Sequence, residues 1–236
     1  MPIPKIETPK YKTVLPSDGR EIEYRPFLVK EEKILLIAQE SQDTKDIAEA
    51  MIQIINNCTF DKVDASKLSQ LDFQYLFLQL RIKSVGETSS FKIKCEECGE
   101  ENNVVVDLRT AEIEYPEETI EDVIQITDTV GVKLRRGSIF EFAGQISVEN
   151  NIADNITSMI RGTIESIYDE NDVYPIESVS DEDFLEFADS MTHNQLEHIN
   201  KYIENEPQVV CTVKFKCVHC GHENEIKIKG SQSFFL

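Results

Sequence analysis

No run of apolar residues in this 236-residue chain approaches the ~20 needed to cross a bilayer as a helix. The opening stretch, Met1 to Lys12, mixes Pro with Lys and lacks the apolar segment of a signal peptide, so the protein is expected to remain in the cytoplasm where it is made. Basic residues are scarce, 24 Lys and Arg against 44 Asp and Glu, for a net charge of −20. The shortage is uneven: residues 1–112 carry −5 and residues 113–236 carry −15. Between Glu149 and Glu206 only Arg161 and Lys201 are basic, among fifteen acidic residues. Such a field repels phosphate backbones and disfavours nucleic acid as a partner, while serving either solubility or electrostatic docking.

Catalytic signatures are missing as well. There is no G-x-x-x-x-G-K-[ST], no G-x-G-x-x-G, no H-E-x-x-H and no G-x-S-x-G. His193 and His198 fall on or beside a polar helix and read as solvated. Asp and Glu are too numerous for any carboxylate pair to stand out. No catalytic residue and no organic cofactor is therefore expected. What remains is the composition of a soluble globular protein, 40% hydrophobic and 29% charged, long enough for one large domain or two small ones.

Local signals order the chain. Tyr11 to Leu15 and Glu21 to Tyr24 read as strands around the turn Pro16-Ser17-Asp18-Gly19. A helix is expected from Val29 to Glu40. A second carries Ile47, Met51, Ile55 and Cys58 after Thr44, an N-cap residue. From Leu68 to Lys83 nearly every face is apolar, so this helix should be buried and central, ended by Gly86. In the second half Val132 to Leu134 reads as a strand, and Ile152, Ile156, Met159, Ile160 and Ile167 as one helix. Ser180 with Asp183, and Thr192 with Gln195, mark two further helix starts, and Pro207 closes the last.

Six cysteines are present. Cys58 and Cys211 lie in apolar surroundings and read as small buried hydrophobes. The others form two C-x-x-C-G turns, Cys95/Cys98 and Cys217/Cys220. Aligning Lys92–Asn103 with Lys214–Glu225 gives seven identities in twelve positions, against an expectation of about one for unrelated segments. Each turn is flanked by β-like segments, Phe91 to Lys94 and Val104 to Leu108, then Thr212 to Lys216 and Glu225 to Lys229. That is half a zinc ribbon, made twice.

Zinc favours four ligands in a tetrahedron and binds thiolate well, so one C-x-x-C leaves a structural site open and two close it. Cys95, Cys98, Cys217 and Cys220 are thus the expected ligands of one structural Zn2+ that staples the two halves together. Structural zinc contributes ~10–16 kcal/mol of apparent binding free energy in small peptides, comparable with the stability of a domain. Three other readings stand beside this one: a redox dithiol, separate knuckles completed by another chain, and knuckles completed by His219 and His222. Those histidines read more simply as exposed residues of the second turn. Lys92, Lys94, Lys214, Lys216, Lys227 and Lys229 on the ribbon strands fit a nucleic-acid-binding zinc-ribbon regulator, but with few aromatic residues beside them they read more simply as an exposed face or a guarded sheet edge.

The expected fold class is therefore α+β, mostly helical, an internal tandem duplication with a composite zinc ribbon built from both halves. Residues 1–112 hold strands, helices and the first C-x-x-C hairpin. Residues 113–236 hold a strand, helices and the second. The end, Ser231 to Leu236, carries Phe234, Phe235 and Leu236, which either fold back onto the core or form a hook for a partner.

The run Leu15-Pro16-Ser17-Asp18-Gly19, followed by Tyr24-Arg25-Pro26-Phe27-Leu28-Val29-Lys30-Glu31-Glu32-Lys33, resembles the opening of the T-even-type phage baseplate proteins. The C-x-x-C-G pairs are similar to those of phage members of the group. The resemblance implies a non-enzymatic protein of myovirus baseplate hub assembly, a hub component or an assembly chaperone. Its partners would be other phage tail and baseplate hub proteins, with neither nucleic acid nor membrane, and its place the host cytoplasm during assembly or the virion tail baseplate.

Overall fold

The computed structural model describes residues 6–41, 43–118, 120–136 and 152–229. The C-terminal hook expected at Phe234 to Leu236 lies outside them.

The chain opens with a hairpin, β1 (Tyr11–Val14) against β2 (Glu21–Tyr24), and three helices follow: α1 (Val29–Ser41), α2 (Thr44–Cys58) and α3 (Gln70–Ser84). Asp43 caps α2, accepting from the Lys45 N–H, so Thr44 opens the helix rather than capping it. Ser69 caps α3 by accepting from the Asp72 N–H.

The apolar surface of α3 is divided between two cores. Phe73, Leu76, Phe77 and Leu80, at i, i+3, i+4 and i+7, face a first core with Leu15, Tyr24, Ile54, Ile55 and Cys58. Leu71, Leu78 and Ile82 face a second core built on two hairpins: β3 (Thr88–Lys94) with β4 (Glu101–Asp107), and β10 (Gln208–Lys216) with β11 (Glu223–Lys229). A helix between two cores needs apolar side chains all round.

A short strand, β5 (Glu112–Glu114), pairs with the start of β10, so residues 115–207 leave and return on adjacent antiparallel strands. The earlier division at residues 112 and 113 falls inside β5. Between these strands lies a third core over a four-stranded sheet: β6 (Val123–Gln125), β7 (Gly131–Leu134), β8 (Ile164–Tyr168) and β9 (Val173–Pro175). The helices α4 (Ile152–Thr163), α5 (Asp181–Asp189) and α6 (His193–Glu204) supply Ile160, Phe184, Ile199 and Tyr202 to it. Ser180 caps α5, and Thr192 with Gln195 forms a full capping box on α6.

Two expectations are corrected. The protein is not mostly helical, since the described residues include eleven strands in four sheets. Ile167 does not continue a helix from Ile152. The helix stops at Thr163, and Ile164 to Tyr168 pair with β7 instead. β-branched residues at 163, 164 and 167 suit a pleated surface, and a neighbouring strand supplies the partner that periodicity alone does not reveal.

Candidate metal centre

The two C-x-x-C turns are one local structure built twice. In the first hairpin Lys94 pairs with Glu101 and Lys92 with Asn103; in the second Lys216 pairs with Glu223 and Lys214 with Glu225. The Cys95 N–H donates to Glu100 O at 2.9 Å, and the Cys217 N–H donates to His222 O at 2.8 Å. Gly99 and Gly221 each donate back to the first cysteine's carbonyl, at 2.9 and 3.0 Å. Their φ values of 73° and 78° are left-handed, which explains a glycine after each second cysteine.

The hairpins bring their turns together. Cys95 Sγ lies 3.7 Å from Cys220 Sγ, and Cys98 Sγ lies 3.7 Å from Cys217 Sγ, all four sulfurs falling within 4.8 Å of one another. Four sulfurs ~2.3 Å from a central zinc in a regular tetrahedron stand about 3.8 Å apart. Cys95 and Cys217 are buried, while Cys98 and Cys220 are exposed at the rim. The donor set and its spacing fit a tetrahedral thiophilic cation.

Hydrogen bonding divides the thiols. Backbone N–H donation, the Cys98 amide first, holds Cys95 below its ordinary range. Burial pushes Cys217 up, but the N–H groups of Cys220, His219 and Asn102 outweigh it and bring it to about 6. For Cys98, a backbone N–H from Glu100 pulls downward, but burial and the three neighbouring sulfurs push it up to about 12. Four thiols this close cannot all ionise without a cation, and a bound cation would remove that conflict.

Two asparagines that the sequence reading left without a role complete the site. Asn102 is 3% exposed; its Nδ2 lies 3.5 Å from Cys217 Sγ, and its Oδ1 accepts from the Val218 N–H at 2.9 Å. Asn224, also 3% exposed, does the reverse, with Nδ2 at 3.5 Å from Cys95 Sγ and Oδ1 accepting from the Glu96 N–H at 2.9 Å. The available signal was their identity between the two hairpins at a strand position facing inward.

The other candidates fall elsewhere. Cys58 belongs to the first core, where burial pushes its thiol up to about 11, and Cys211 belongs to the second. His219 and His222 are exposed. The ribbon lysines point outward among acidic partners: Lys214 pairs with Glu225, and Lys227 and Lys229 with Glu114.

The Arg25-to-Lys33 run is a folding device. Arg25 Nη2 donates to Glu31 Oε1 at 2.9 Å, the Leu28 N–H donates to Glu31 Oε2 at 2.8 Å, and the Arg25 N–H donates to Cys58 O at 3.0 Å. The Phe27 N–H donates to Ser84 Oγ at 2.9 Å. One short motif thus starts α1 and fastens it to the ends of α2 and α3.

Comparison with known proteins places the chain. The chain is 25% identical to the baseplate hub assembly protein gp26 of Enterobacteria phage T4 over 227 residues, covering 96% of this chain and 98% of that protein. No solved structure matches. A family profile for the T4 bacteriophage base plate protein matches residues 8–236, and the chain belongs to that family.

Proposed function

We propose that this protein is a non-enzymatic factor of phage baseplate hub assembly whose hairpins are joined by one structural zinc ion. The observation that carries the zinc is the set of four cysteine sulfurs, two from each hairpin, at a spacing suited to a tetrahedral cation. The assembly role is supported by the family and by the near full-length similarity to a baseplate hub assembly protein. Four thiolates leave no open coordination position for a substrate, so the metal's work is structural. Other baseplate hub proteins are the partners.

The acidic second half fits a surface for partner capture. Arg161 is turned inward, donating to Val179 O at 2.7 Å, and Lys201 is paired with Glu197 at 3.0 Å. Asp181, Glu182, Glu186 and Asp189 of α5 stay exposed. That field steers basic partners and opposes nucleic acid. Among the described residues no helix is long and apolar enough to cross a membrane.

Metal analysis of the purified protein tests the first part, with one zinc per chain expected and zero or two overturning it. Mass spectrometry of purified phage particles tests the second. Finding the protein in the tail makes it a hub component; finding it only in infected-cell complexes with hub proteins makes it an assembly chaperone. Capture of no hub protein in either setting overturns the assembly role.

A further inference from the structure

Strands β4 and β11 alternate between the second core and solvent. The inward positions are Asn102, Val104 and Val106 in one strand, and Asn224, Ile226 and Ile228 in the other. The pattern asks for an apolar side chain at all six places, yet the one nearest each C-x-x-C turn is an asparagine, 3% exposed. Burying a primary amide is unfavourable unless its hydrogen bonds are made, so packing alone does not account for either residue.

Both amides are satisfied, in the same way and across the hairpin boundary. Asn102 Nδ2 donates to Glu100 O in its own turn at 3.0 Å, and Asn224 Nδ2 donates to His222 O at 3.2 Å. The remaining contacts go to the opposite turn: a thiol sulfur from Nδ2, and from Oδ1 the N–H that follows that cysteine. Backbone partners decide which end of each amide faces the sulfur, because a carbonyl needs the NH2 group and an N–H needs the oxygen.

We infer that Asn102 and Asn224 are reciprocal positioning residues of the metal centre. Each holds the first cysteine and the next backbone amide of the opposite turn, so that the hairpins assemble the four-sulfur cage themselves. This rests on the zinc reading above. A divalent cation with four thiolates carries a net charge of −2, and at the two buried sulfurs water is excluded from supplying hydrogen bonds. There the asparagine NH2 groups add a donor from the opposite hairpin to the backbone N–H groups of each sulfur's own turn. Because each donor comes from the other hairpin, charge stabilisation and hairpin docking are one interaction.

The test uses the full chain with Co2+ as a spectroscopic stand-in, followed by Zn2+ competition against a chelator. Asn102→Ala and Asn224→Ala should each weaken metal binding by roughly 10–100-fold, the usual effect of losing a group that orients a ligand. Asn102→Asp and Asn224→Asp keep an acceptor for the N–H but set a carboxylate against the thiolate. They should weaken binding at least as much and move the thiolate-to-Co2+ charge-transfer band to lower energy. Asn103→Ala, on the exposed face of β4, should change neither readout. Unchanged affinity and an unshifted band in all four variants overturn the positioning role and leave the zinc reading intact. Absence of any thiolate band in the unaltered protein overturns both. Amide hydrogen exchange on the unaltered protein needs no variant to fold: the Glu96 and Val218 N–H groups, on exposed turns, should exchange slowly, and fast exchange at both overturns the clamp.

Discussion

Asp72, in the first turn of α3, accepts from both the backbone N–H and the hydroxyl of Ser17, at the tip of the β1–β2 hairpin. Asp72 is 3% exposed, so the hairpin turn is fastened to the central helix by a buried acceptor. Asp72→Ala leaves the Ser17 groups without that partner and should cost about 1–3 kcal/mol. Asp72→Asn keeps one acceptor and should cost less. Urea unfolding of the two variants measures both, and equal losses would mean that the hydrogen bond kept by the asparagine contributes nothing.

The pair of Arg25 with Glu31 should govern acid stability. Burial pushes the Glu31 carboxyl up, but Arg25 and the Leu28 N–H outweigh it and hold it below the ordinary carboxylate range. A carboxyl depressed in the folded state contributes stability that is complete well above its unfolded value, about 4.3, and is lost as pH falls through the lower folded value. Glu31→Gln should remove that part of the acid transition. At neutral pH it should cost about 3–5 kcal/mol, because Arg25 would remain buried without its counter-ion. Thermal unfolding from pH 3 to pH 7 reads both effects.

Gly131 is required by Tyr168. A Cβ built on Gly131 would run into the tyrosine ring, whose hydroxyl donates to Gln125 Oε1 at 3.1 Å across the sheet. Gly131→Ala should destabilise the protein by about 1–3 kcal/mol through overpacking. Adding Tyr168→Ser should recover much of that loss. A double-mutant cycle with no coupling would refute the contact.

Metal removal should act on both hairpins at once. Cys95→Ala and Cys217→Ala should abolish stoichiometric zinc and lower the thermal midpoint equally, because either opens the tetrahedron. Cys58→Ala should keep one zinc per chain and lose packing in the first core together with the 3.7 Å contact from Arg25 Nη1 to its sulfur, about 1 kcal/mol. A strong chelator should lower the midpoint of the unaltered protein to that of the two ligand variants. A midpoint that does not respond to the chelator would remove the structural role from the metal.

Elements with a local cause could be read from the amino-acid sequence. Ser180, Thr192 and Gln195 cap helices because a cap is satisfied within four residues. The C-x-x-C-G turns follow from the reach of two cysteines and the left-handed glycine after them. The apolar character of Leu71 to Ile82 marks a buried helix on its own. Only the tertiary structure decided that this helix separates two cores, since periodicity reports burial and not which neighbour does the burying. Strands of three to five residues, β5, β6, β8 and β9, are too short for their alternation to stand out, and their identity depends on pairing across up to about a hundred residues. The asparagines mark the same boundary. Their repetition was visible in the sequence, but an amide gains its role only when the opposite hairpin brings a sulfur and an N–H within reach, and folding alone brings them there.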